Sequence, residues 1–171
     1  MKYRMTLRNH LRALDLLIFT LVGIFAFGWY QANQNNLDDS LIEGLIVFGL
    51  VTIIPVLYLH LEYYFFSRGV EIEIDAWSKS LKVSDKTGTH ELYNFDDLSK
   101  IIVYMPPYKH SKSMFIRIPF DTYHYARIFT KSGKEIIFTS LMDSKVDEVI
   151  RNIRGVPIEL KKRLPASILI R

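Results

Sequence analysis

Five histidines, His10, His60, His90, His110 and His124, are the side chains in this chain best suited to metal binding or proton transfer. None pairs with another at i, i+4, and none stands beside a Glu in a zinc-protease arrangement. No metal and no cofactor are therefore expected. Cysteine is absent, which excludes disulfides and thiolate ligands and suits a reducing compartment. There is no phosphate-cradling glycine loop, no Gly-x-Ser-x-Gly elbow and no kinase motif set. Ser84, Ser99 and Ser140 have no recognisable His partner in the sequence, and the acid pairs Asp38-Asp39 and Asp96-Asp97 read as loop solvation and helix capping. A non-catalytic protein is the expectation.

Two basic clusters remain. Lys109-His110-Ser111-Lys112, framed by Pro107 and Tyr108, offers Lys109 and Lys112 to a ligand or headgroup. Lys161-Lys162-Arg163, set among aliphatic residues, is a candidate membrane-surface contact, since each cation near an anionic surface contributes about 1 kcal/mol. The net charge of +4 and isoelectric point near 9.2 fit anionic headgroups beside an anchored domain better than they fit nucleic acid. No nucleic-acid partner is expected.

The elements that must position these groups start with a hairpin. Leu16 to Tyr30 and Gly44 to Leu61 are uncharged runs separated by a polar segment, Gln31 to Glu43, that holds acids but no Lys or Arg. A span of roughly 20 residues crosses a bilayer, so the sequence predicts spans over about 14–32 and 43–61 within a transmembrane hairpin, 14–62. Trp29 and Tyr30 at one end, with Tyr63, Tyr64, Phe65 and Phe66 at the other, are the expected interface anchors. Asp15 is expected to pair with Arg12 one turn away, and His60 to cap the helix end at the interface. Pro55 should free a carbonyl that a neighbouring helix or the Thr52 hydroxyl would satisfy. Glycine spacing shows no small-xxx-small motif, so a homo-oligomer is not indicated.

Lys2, Arg4, Arg8 and Arg12 precede the first span. The positive-inside rule then predicts a cytoplasmic N-terminus, residues 1–13, and a cytoplasmic C-terminal domain. The rival reading is a cleaved signal sequence ending near Ala26-Phe27-Gly28, which leaves the second span in the same direction.

Beyond the hairpin, strand patterns dominate. Val70, Ile72 and Ile74 alternate with acids, Leu81 and Val83 follow a turn at Trp77 to Lys79, and Asp85-Lys86-Thr87-Gly88 turns the chain into Thr89–Tyr93. Ile101–Met105 reads as a buried strand, Met114 to Ile118 as another alternating one, and Tyr123–Thr130 with Glu135–Ser140 as a hairpin around Lys131–Lys134. An amphipathic helix closes the domain: Met142, Val146, Val149, Ile150 and Ile153 share one stripe, Asp143 or Ser144 caps it and Gly155 ends it. The tail, 156–171, is expected either to cover a strand edge or to lie on the membrane.

About seven antiparallel strands in hairpin order and a closing helix, with Tyr93-Asn94-Phe95-Asp96-Asp97-Leu98-Ser99-Lys100-Ile101 between strands three and four, resemble the bacterial pleckstrin-homology-like domains, many of which follow a transmembrane hairpin. The resemblance covers roughly residues 63–155. It implies a mainly-β PH-like split barrel closed by a C-terminal α-helix, held at the cytoplasmic face of a bacterial membrane, where it binds a protein, peptide or lipid headgroup. Eukaryotic pleckstrin-homology domains that bind phosphoinositides use basic residues at the first strand-to-strand turn. The matching positions here are Lys79 and Lys82, without the accompanying Arg. The alternatives from other classes are an envelope immunity or stress-protection protein acting through its spans, and a small membrane enzyme.

Overall fold

The computed structural model describes residues 1–34, 38–107 and 119–169. The first described element is a strand, β1 (Lys2–Arg4), which precedes helix α1 (Leu7–Asn33) and helix α2 (Asp39–Ser67). Among the described residues, the next strands beyond them are β2 (Glu71–Asp75), β3 (Ser80–Ser84), β4 (His90–Asn94), β5 (Leu98–Met105), β6 (Tyr125–Thr130) and β7 (Glu135–Thr139). A short helix α3 (Val146–Ile150) and a last strand β8 (Ile158–Lys162) complete the order.

The strands form two four-stranded sheets, β1-β2-β3-β4 and β7-β6-β5-β8. In the first, β1 pairs antiparallel with β2 in the register Lys2↔Glu73, Tyr3↔Ile72, Arg4↔Glu71, so residues ahead of the helices belong to the sheet. The helical hairpin is thus an insertion between two adjacent strands of one sheet. The second resolves the tail: β8 runs parallel to β5, with Val103↔Leu160 at its centre, and so covers that edge. The strand expected at Met114 to Ile118 lies outside the described residues.

Local chemistry explains the turns. Asp85 accepts from the Thr87 and Thr89 amides at 2.8 and 3.0 Å, and Gly88 takes φ +79°, the positive angle its turn requires. At the exit of α2, Gly69 has φ +70°, and a Cβ there would stand 2.6 Å from Lys86 Cγ. Only glycine fits both the angle and the approach.

The apolar stripe expected after β7 is buried as drawn, with Met142, Val146, Val149, Ile150 and Ile153 all inside. Its length is corrected. The Asp143 carboxylate accepts from the Lys145 amide in a local turn, and no side chain caps the helix. Past Ile150 the amides of Asn152 and Ile153 reach back only three residues, to Val149 and Ile150, so the α-helix tightens into turns that end at Gly155, φ +85°. Together with Phe95, Ile101, Ala126 and Phe138, the stripe fills a core between the sheets. Sheet β7-β6-β5-β8 is covered on its other side too, where Ala13 and Leu17 of α1 and Val56, Leu59 and Tyr63 of α2 pack with Tyr123, Tyr125 and Leu141.

Three hairpin expectations change. Arg12 donates to Ser144 Oγ at 2.9 Å rather than pairing with Asp15, whose carboxylate accepts from the Leu16 amide at 2.6 Å. Thr52 donates to Phe48 O at 2.8 Å, three positions before Val51, whose carbonyl Pro55 frees. Tyr63 is fully buried in protein, while Tyr64 is half-buried and Trp29 and Tyr30 are exposed.

Tyr3 is 9% exposed and meets Phe138 edge-on at 5.3 Å across the core. Tyr3→Ala should therefore destabilise the domain by about 2–4 kcal/mol in denaturant unfolding of the detergent-solubilised chain. An N-terminus outside the barrel would give no change.

Candidate functional site

The base of the hairpin is where sequence-distant polar groups converge. On α1, Asn9 Nδ2 donates to Leu141 O and Met142 O at 3.1 and 2.9 Å. On α2, the Ser67 and Thr139 hydroxyls lie 2.5 Å apart in a buried pair. Each helix is therefore fastened to the turn or strand beneath it. Asn9 and Ser67 sit in the outermost turns of their helices, where the side chains can reach the domain without crossing the apolar runs.

Between these fastenings runs a chain of rings. His10 Nδ1 and His60 Nε2 are 3.0 Å apart, and His60 Nδ1 is 2.9 Å from the Tyr123 hydroxyl. Burial pushes the Tyr123 phenol well up, so it remains a donor and fixes His60 Nδ1 as an acceptor. In its neutral form His60 then carries its proton on Nε2 and donates to His10. His60 is thus no interfacial cap, and the two histidines form a pair that no local spacing announced. Among the described residues no group of three or more His, Asp or Glu could hold a metal ion.

Deeper in the base, α2 and β6 present four buried polar side chains. Glu62 is 4% exposed, Arg127 8%, and Tyr63 and Tyr125 are fully covered. Arg127 forms an ion pair with Glu135 at 3.0 Å and lies over the Tyr104 and Tyr125 rings, which stack on each other at 4.8 Å. All four side chains turn toward one stretch outside helix and strand, Ala166–Leu169. Its contacts are Tyr63 to Ala166 O, Tyr125 to Ser167 O, Arg127 to Ile168 O, and Glu62 from both the Ser167 hydroxyl and the Leu169 amide. The sequence holds one signal for this site, an acid at position 62 immediately after an uncharged run.

A second concavity lies between the outermost strands of the two sheets, β4 and β7. It has a volume of about 270 Å³ and is walled by Phe66, Val70, Val83, Ile136 and Ile137. Glu91 and Lys134 close its rim in an exposed ion pair, and Tyr93 donates to Glu91 at 2.5 Å. The Lys134 hydrogen bond holds the Glu91 carboxyl below its ordinary range, and Glu91 raises the lysine in return.

The basic candidates are dispersed. Lys79 is exposed in the β2–β3 turn, with φ +49°, and its carbonyl accepts from the Phe95 amide at 2.8 Å. Lys82 is the register partner of Glu73 on the outer face of its sheet. Lys109 and Lys112 lie outside the described residues. Lys161 and Lys162 are exposed on β8, Lys161 lies 3.4 Å from Glu159, and Arg163 stands over the Tyr104 ring at 5.3 Å. One serine does acquire a histidine: Ser84 Oγ and His90 Nδ1, cross-strand partners, are 2.7 Å apart. They lie on the outer sheet face, Ser84 half-buried and His90 exposed.

A family profile described as "PH domain" matches residues 2–147. That stretch starts at β1 and includes both helices. No curated protein sequence matches the chain.

The rim pair sets a pH dependence. Because Glu91 is depressed in the folded state, its contribution to stability is present above the ordinary Glu value near ~4.3 and is lost as pH falls through its folded value. The thermal midpoints of wild type and Glu91→Gln should therefore differ at pH 7 and converge on acidification. A gap that stays constant with pH would contradict this assignment.

Proposed function

We infer that this chain, which belongs to the PH domain family, is a non-catalytic interaction module anchored in a membrane through α1 and α2 and held at the cytoplasmic face. PH domains are generally non-catalytic and commonly bind proteins or lipids. The observation that carries the anchoring is the exposure of the two helices. Each contains a window long and apolar enough to cross a membrane, with mean hydropathy 1.9 and 2.3. Phe19, Phe25, Val47 and Val51 stand more than half exposed along them. In water such a surface would drive association, whereas in hydrocarbon it meets no penalty. The orientation follows from Lys2, Arg4, Arg8 and Arg12 before the first span and the lack of basic residues between the spans.

Of the ligands open to a PH domain, a protein segment is favoured over a lipid headgroup. Lys82 shares the outer sheet face with Glu71 and Glu73, Lys79 stands in the turn that opens β3, and Lys2 already pairs with Glu71 at 2.7 Å. A mixed-sign face gives a phosphorylated headgroup little net attraction. Lys161, Lys162 and Arg163 are assigned to general attraction toward an anionic leaflet. Nothing favours the spans as the working part, since the Thr20 and Thr52 hydroxyls both turn back onto their own helices.

The absence of cysteine makes the topology directly testable. In intact bacterial cells, Gln34→Cys should react with a membrane-impermeant maleimide, and Trp77→Cys, at a position 98% exposed, only after permeabilisation. The opposite pattern would overturn the orientation, and recovery of the chain in the soluble fraction would overturn the anchoring.

A further inference from the structure

The stretch at the base of the hairpin is held through its main chain as well as by the packing of Ala166 and Ile168. The Tyr63 hydroxyl donates to Ala166 O at 2.7 Å, the Tyr125 hydroxyl to Ser167 O at 3.0 Å and Arg127 to Ile168 O, while the Leu169 amide donates to Glu62 Oε1 at 2.6 Å. Four consecutive residues are thus gripped by the main chain. The Ser167 hydroxyl also donates to Glu62 Oε1 at 2.9 Å, a contact that reads a side chain. Ala166, Ser167 and Ile168 are buried, which limits the first two positions to small residues and suits the third to an aliphatic one.

Upstream, β8 adds to the β5 edge by a parallel ladder, and all five of its residues are exposed. Backbone hydrogen bonds hold it there, with little apolar burial to reinforce them. Strand addition to a sheet edge, followed by alternate side chains entering pockets, is a general form of peptide recognition. Glu62 Oε2 is buried without a hydrogen-bond partner, so the site carries an acceptor that its occupant leaves unused.

We propose that the β5 edge and the slot of Glu62, Tyr63, Tyr125 and Arg127 form a peptide-binding site filled in cis by residues 158–169. Its partner is an extended segment of another protein carrying a small residue, a Ser or Thr and an aliphatic residue in succession, with a further donor for Glu62 Oε2. The partner enters by displacing the resident stretch. This rests on the reading of the chain as an interaction module.

The test uses the full chain in nanodiscs and a fluorescent synthetic peptide of residues 157–169. Ser167→Ala with Ile168→Ala in the chain weakens the resident stretch, and this variant should bind the peptide about ten-fold more tightly than wild type, measured by polarisation. Adding Glu62→Ala should remove that gain, and a scrambled peptide should not bind. A loosened variant that keeps its far-UV spectrum yet binds no peptide would overturn the proposal. Hydrogen exchange on the wild type gives an answer that needs no variant. Amides of residues 158–169 should exchange about ten-fold or more faster than those of β5 and β6, through local opening. Equal rates would overturn the proposal. Failure in either assay leaves the anchored module standing, whereas a reversed maleimide pattern removes its orientation and leaves the slot untouched.

Discussion

Everything between Met5 and Val70 depends on three paired residues. Lys2–Arg4 zip onto Glu71–Glu73, and the ladder continues as the Ile74 amide donates to Met1 O at 2.8 Å. The pairing closes a very long loop, whose entropic cost grows only slowly with length. Burial of Tyr3 against Phe138 and the stiffness of the two helices offset that cost. Without this closure α1 would be tethered at one end only, and Asn9 and Arg12 would have no fixed frame from which to reach the turn after β7.

The base of the hairpin then poses an electrostatic problem. Glu62 and Arg127 are both nearly inaccessible, and charges in that setting are tolerated only when hydrogen bonded or paired. Arg127 has Glu135, two aromatic faces and a carbonyl. Glu62 has a hydroxyl and an amide on one oxygen and no partner on the other. Both Glu62 contacts, and the carbonyl that Arg127 reaches, depend on the stretch Ala166–Leu169 being in place. The groups that hold the stretch are therefore also the groups that need it, a mutual dependence that purely apolar packing would not create.

What the sequence disclosed divides along the range of the interactions. The apolar runs, the β2–β3–β4 and β6–β7 hairpins and the turns at Gly88 and Gly133 are written in neighbouring residues, and they were legible. The stripe from Met142 to Ile153 was legible as a buried face but not as a short helix, because the turn chemistry of Asp143 competes with helix capping. β1 and β8 were not legible. Lys2–Arg4 is too short to show alternation, and Ile158–Lys162 is wholly exposed, so neither carries a period-2 signal strong enough to name a partner strand. The His10–His60 contact joins positions fifty residues apart, and no spacing rule reaches that far. Of the groups in the slot, only Tyr63 is singled out by the sequence, and as an interface anchor rather than as a buried donor.

Attachment through both ends of the hairpin has a consequence for direction. A domain on one tether can swivel about it, presenting any side to its surroundings. Here β1 enters α1 and α2 returns into β2 within a few residues on each side, and adjacent strands of one sheet fix the two crossings relative to each other. Helices and domain therefore turn as one body. In the anchored arrangement proposed above, a neighbour in the same bilayer would meet the β5 edge at a single bearing relative to α1 and α2, and lateral approach would be restricted to one sector of the plane.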